Sequence, residues 1–171
     1  MIGKIMGVAV AGAVAALLLW QSRGGSSAPS VQVVSMTGTA QWGIDAILAT
    51  AEAAGKRWGV PAGMMSRLVL RESGGDPAAL GSSGERGVCQ IMPATWSDFV
   101  NRGWVGAAVD PWSIGPACDV AARYLSSMAG DGWASAAASY NWGPANVQAA
   151  PDQATWPSSV QAYARDVAGV L

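Results

Sequence analysis

At 171 residues the chain has room for one domain with its own core and a short appendage. Ten basic residues against eleven acidic ones, with no basic run, make nucleic acid a poor partner. The absence of histidine and the presence of only two cysteines rule out Ser-His and Cys-His nucleophiles and any His- or Cys-rich zinc cage. Acid–base chemistry therefore falls to carboxylates, tyrosine, lysine or a lone thiol.

The first element is an unbroken apolar and small-residue stretch from Ile5 to Trp20, flanked by Lys4 and Arg23. As a helix it is roughly 24 Å long, short of the ~30 Å hydrocarbon core until Met1 to Lys4 are added, with the lysine reaching to the interface. Residues 1–22 read as a retained single-pass transmembrane anchor; the alternative is a cleaved signal peptide, although no clean small-x-small site follows. Gly3, Gly7, Ala11 and Ala15 recur every four residues, which suits helix packing and equally suits generic small-residue content. Residues 23–41 are rich in Gly, Ser and Thr without periodicity and read as a flexible linker.

From residue 42 to 171 the pattern is helical. Ile47, Leu48, Ala51 and Ala54 space a first helix from Ile44 to Trp58, broken at Gly59-Val60-Pro61. A second begins near Pro61 and ends before Gly74-Gly75. Glycines dominate 81–87, and further helices are expected over Ala94–Asn101, Ala117–Met128, Trp133–Tyr140 and Ser158–Gly169. With no alternating strand pattern of quality, the fold class is mostly α. Nine tryptophans stand against three tyrosines and one phenylalanine. Most are assigned to core filling and a minority to a glycan groove. Cys89 and Cys118 are either a disulfide, if the domain lies outside the cytoplasm, or two separate small core residues.

Glu72 is one of only three glutamates and sits four residues after Leu68 and seven after Met65, on an otherwise core-directed helix face. Desolvation and the carbonyl-rich helix end both oppose its charge and favour the protonated acid. Such an acid suits protonation of a glycosidic oxygen. Pairing with Arg67, Arg71 or Arg86 as a helix-end charge is the competing reading. Glu85-Arg86 itself reads as a loop ion pair, and Asp76-Pro77 as a turn.

Glu72-Ser73, then Gly87-Val88-Cys89-Gln90-Ile91-Met92-Pro93, then Ser139-Tyr140-Asn141-Trp142-Gly143 resemble, in order, the motifs of the soluble lytic transglycosylases. The resemblance implies a goose-type lysozyme-like fold acting on peptidoglycan glycan strands. It makes Glu72 the single catalytic acid and base, and Ser73 an orienting neighbour. Gln90 and Met92 then line the cleft, and Tyr140 and Asn141 face the glutamate. Tyr163, after Trp156-Pro157, resembles the aromatic of a fourth motif. Three positions depart from the family pattern: Cys89 replaces a methionine, Ser139 an alanine, and Ser159 the glutamate expected beside Tyr163. The Cys89 substitution is compatible with a Cys89–Cys118 bridge.

The implied reaction is non-hydrolytic, forms a 1,6-anhydro sugar and uses no metal or organic cofactor. A lysozyme-like hydrolase and a non-catalytic glycan-binding or assembly protein are the alternatives. With the anchor, the resemblance implies a catalytic domain tethered to a membrane and facing a wall, or secreted if the leader is cleaved. A virion, with phage genome delivery, or a secretion apparatus supplies the expected setting and partners.

Overall fold

The computed structural model describes residues 43–170, which lie in one packed unit. The expected anchor (1–22) and linker (23–41) fall outside those residues. Among the described residues no helix is long and apolar enough to cross a membrane. Seven α-helices follow in order: α1 Ile44–Arg57, α2 Met64–Ser73, α3 Pro93–Asn101, α4 Ile114–Ser127, α5 Trp133–Trp142, α6 Pro144–Ala149 and α7 Ser158–Ala168. Among the described residues the only pairing of extended backbone is two isolated bridges, Leu80 with Arg86 and Arg86 with Ile91.

α1 buries Ile47, Ala51 and Ala54, one stripe at helical spacing, against α2 and α4. Gly55 belongs to the same buried stripe, and a Cβ there would meet Met65 Cγ at 2.8 Å. The glycine lets α1 and α2 approach closely. α2 begins at Met64 rather than near Pro61, because Pro61 is used in a turn that ends at Gly63, in the left-handed region at φ 79°. Its start has no cap from its own N-cap side chain. Glu52 of α1 supplies one instead, accepting from the N–H groups of Gly63 and Ser66 at 2.8 Å each. α2 stops at Gly74, whose left-handed φ of 65° lets its N–H donate to Leu70 O at 3.0 Å.

α4 begins three residues ahead of the sequence expectation. Gly115-Pro116 looks like a break, but a proline in the first turn has no intrahelical acceptor to lose. α6 was not anticipated: six residues flanked by Gly143-Pro144 and Ala150-Pro151 carry too little periodicity to register. α5 is apolar around most of its circumference, with Ala136, Ala137 and Ala138 fully buried, and it packs against α4, α6 and α7. Its small side chains let these neighbours close in. α7 in turn touches α2, so the end of α2 is backed by α7. Arg67 of α2 strengthens that contact by donating to the terminal carbonyls of Val167 (2.9 Å) and Ala168 (3.2 Å).

Candidate active site

Glu72 occupies the penultimate position of α2, one turn beyond the fully buried Leu68. Its backbone continues the face that buries Met64, Met65, Leu68 and Val69, so the helix itself carries the carboxyl to the edge of the core. Burial is the largest influence on Glu72 and pushes its pKa up from the usual carboxylate value. Two effects oppose this: a hydrogen bond from Tyr163 and the positive charge of Arg71. Glu85, a like charge, reinforces burial. The net direction is upward, as the sequence argument requires of a general acid.

Tyr163, on α7, is only 4% exposed, and its hydroxyl donates to Glu72 Oε1. The sequence reading gave it a substrate-binding role; its observed contact is with the catalytic candidate, not with open cleft. Burial first, and the adjacent Glu72 second, push the phenol far above its ordinary value, so it remains a donor. Arg71 lies 6.0 Å over the Tyr163 ring and 3.9 Å from Asp166, which holds the cation beside the carboxyl rather than on it. The helix-end ion pair offered as the competing reading of Glu72 is therefore absent from this structure.

Ser73 packs beneath the site. Its Oγ makes main-chain contacts with Val88 O (2.9 Å) and Val69 O (3.2 Å), and accepts from Gly75 N at 3.1 Å. It stitches the end of α2 to the 87–91 loop, and its hydroxyl is occupied by the backbone. That loop carries Gln90, the one non-glycine residue with positive φ (45°) among the described residues. The strain costs of order 1 kcal/mol and is held by the Gln90 amide, which donates to Ala79 O at 3.0 Å and Gly87 O at 2.9 Å.

Gln90 and Met92, with Tyr140 and Asn141 of α5, line a cavity of about 330 Å³ that also takes in Thr95, Phe99, Tyr124 and Trp142. Met92 is 39% exposed at the mouth. Tyr140 turns its hydroxyl inward to donate to Cys89 O at 2.8 Å, a second tie from the helix layer to the loop. Burial pushes that phenol well up as well. Larger depressions exist, of about 610 Å³ between α1 and α4 and about 910 Å³ beside α6, but neither gathers the motif side chains.

Cys89 and Cys118 lie side by side, fully buried, as free thiols with their sulfurs 3.9 Å apart. The Cys118 thiol and burial push Cys89 well up. Among the described residues no cluster of three or more Cys, Asp or Glu is arranged to hold a metal ion.

The sequence reading did not anticipate Thr95, Phe99, Tyr124 and Trp142 as lining this cavity. Phe99 stacks on Trp104 at 5.3 Å and meets Tyr124 edge-on at 5.4 Å, and Tyr124 lies 6.0 Å from Tyr140. This aromatic chain joins α3, α4 and α5, and no local spacing in the sequence announces it. The core assignment of the tryptophans holds for Trp96 and Trp156, buried at 7% and 4% exposure, while Trp142 faces the cleft.

Residues 49–161, about two thirds of the chain, match the Transglycosylase SLT domain family. The chain belongs to that family. Over 57 residues the chain is 40% identical to the endo-type membrane-bound lytic murein transglycosylase A of two Klebsiella pneumoniae strains, covering 32% of its length. It spans only 28% of the length of those relatives. In fold the chain is similar to the lytic transglycosylase Slt of Pseudomonas aeruginosa, solved as an inactive glutamate-to-glutamine mutant, with TM-score 0.58 and 19% identity. That likeness covers 70% of this chain and 22% of the other, and it supports the lysozyme-like helical architecture.

Proposed function

We propose that this chain is a peptidoglycan lytic transglycosylase that cleaves the β-1,4 bond between N-acetylmuramic acid and N-acetylglucosamine with Glu72 as its single acid and base. The observation that carries the reading is the setting of Glu72: a carboxyl biased toward its protonated form by burial and held by the Tyr163 hydroxyl. The names of the SLT-family relatives point the same way.

Glu72 protonates the glycosidic oxygen, and the bond opens to an oxocarbenium-like muramyl centre. The resulting carboxylate gains strength as an acceptor from the Tyr163 hydroxyl, which stabilises the charge as it forms. It then removes the proton from the muramyl C6 hydroxyl, whose oxygen closes on C1. The glutamic acid is regenerated and the product is a 1,6-anhydro sugar. Tyr140, Asn141, Gln90 and Met92 hold the glycan along the cleft, while Ser73 fixes the catalytic helix to the cleft loop.

The apolar stretch of residues 5–20 and the linker after it tether this activity to a membrane, facing the wall. That arrangement suits local perforation, for a phage genome or for a secretion apparatus. The test incubates the full-length chain with purified sacculi and identifies released muropeptides by mass spectrometry. Anhydro products from the wild type and none from Glu72→Gln support the reading. Products carrying an added water make it a hydrolase, and binding without release makes it a glycan-binding protein.

A further inference from the structure

The cavity of about 910 Å³ beside α6 adjoins the cleft, and nothing in the reaction above uses it. Ser139 and Pro144 line both spaces. Ser139 is also a position where this chain departs from the family pattern, a serine standing where an alanine is expected. α5 supplies one side of the cavity through Ser135 and Ser139, four residues apart and so on one helix face. Gly143, at φ 93°, then turns the chain sharply, so that α6 starts with Pro144 at the boundary of the two spaces. The far side is held in place by side chains. Gln153 Nε2 donates to Ser135 Oγ at 3.4 Å, and the Trp156 indole N–H donates to Ala150 O at 2.7 Å.

The two spaces differ in chemistry. Phe99, Tyr124, Tyr140 and Trp142 give the cleft flat faces on which sugar rings can stack. No aromatic residue lines the cavity beside α6. Hydroxyls and amides from Ser127, Ser135, Gln148 and Gln153 share it with small apolar surface, and Asp131 is its one charged residue. The ion pairs among the described residues are Arg57–Asp119 and Arg71–Asp166, so the Asp131 carboxylate is left for a cation from outside.

We propose that this cavity is a subsite for the stem peptide of a muramyl residue bound in the cleft, with Asp131 receiving the free amine of the peptide's diamino acid. The inference rests on the cleft holding a peptidoglycan strand. Each muramyl residue carries its peptide as a branch on the lactyl group, so a strand lying in the cleft sends peptides out to the side. A space that opens from the cleft at Ser139 and Pro144 receives such a branch. Its amides and hydroxyls match a peptide backbone, its small apolar surface matches alanine side chains, and its one carboxylate matches the amine. Its volume falls within the range of about 300–1,000 Å³ typical of ligand pockets. A bare sugar ring would find no face to stack on there.

The experiment uses the full-length chain and soluble, uncross-linked glycan strands in three forms: with stem peptides, with stems whose amines are acetylated, and stripped of stems by an amidase. Affinity is read by calorimetry in the Glu72→Gln background, with and without Asp131→Asn or Asp131→Lys, and KM and kcat are read in the active background. On stem-bearing strands Asp131→Asn should raise Kd and KM roughly two- to five-fold, as a solvent-screened ion pair allows, with kcat steady. Asp131→Lys should raise them further. Acetylation should weaken the Asp131 protein by the same factor as Asp131→Asn, and on acetylated or stripped strands the two proteins should converge. Equal affinities on stem-bearing strands overturn the proposal, as does a loss that persists on acetylated or stripped strands. The latter result would mean that Asp131 acts on the glycan or on the fold. Acetylated strands that bind the Asp131 protein as tightly as unmodified ones overturn it as well. Calorimetry needs no turnover, so a wild type that releases only water-added products, or none, refutes the transglycosylase reading alone.

Discussion

Replacing Tyr163 by phenylalanine isolates one interaction. The ring is almost fully buried, so the substitution keeps its packing and deletes only the hydroxyl that donates to Glu72 Oε1. With neutral Glu72 that hydrogen bond is an ordinary one. Once the acid has given up its proton the bond becomes charge-assisted, and bonds of that kind contribute about 1.5–3 kcal/mol. Because the difference is felt as charge develops, it belongs to the transition state. Subtracting the ordinary bond, about 1 kcal/mol, leaves about 0.5–2 kcal/mol, so Tyr163→Phe should lower kcat by roughly two- to thirty-fold while KM moves little. The pH profile adds a sign. The tyrosine opposes the burial that raises Glu72, so its removal leaves the acid protonated to higher pH and carries the high-pH limb upward. A slower enzyme with a broader alkaline range is the signature, measured by initial rates on sacculi from pH 4 to 9. Unchanged kcat, or a limb that moves downward, would refute a role for Tyr163 in holding Glu72.

Glu72→Gln should abolish lysis and at the same time raise the melting temperature at neutral pH, because the folded protein disfavours the carboxylate. A folded-state pKa raised by burial gives stability that is present below the ordinary value of 4.5 and lost as pH rises through the folded value, so the gain over wild type must vanish in acid. Glu52 has the opposite sign. Burial pushes it up, but the N–H groups of Gly63 and Ser66 outweigh burial and hold it below the usual range. Glu52→Ala should cost about 1–2 kcal/mol in urea unfolding at pH 7, and the difference should fade as pH drops through the depressed value. A thiol reagent should modify neither Cys89 nor Cys118 in the folded protein and both after denaturation without reductant; no reaction after denaturation would mean that the two are bonded.

The burial of the Glu72 carboxyl was legible because it depends on local chemistry. Glu72 lies at helical spacing from Met65 and Leu68, and a carboxyl on a buried face is biased toward its proton wherever the rest of the chain runs. The helices α1, α2 and α7 were legible for the same reason, since apolar periodicity is written in neighbouring residues. Boundaries set by non-local contacts were not. The start of α2 is capped by Glu52 from another helix, and the six-residue α6 is held between flanking turns.

What only the tertiary structure decided is which groups surround Glu72. Ser73 and Tyr163 were both expected near the substrate. Folding gives Ser73 to the backbone of the 87–91 loop and Tyr163 to Glu72 itself, across 91 positions of sequence. The Phe99–Tyr124–Tyr140 chain likewise depends on how the helices close in space. Spacing along a helix specifies one residue's own face. Arg71 comes from the same helix, but the hydroxyl bonded to Glu72 comes from α7, and its approach is set by the packing of α7 on α2.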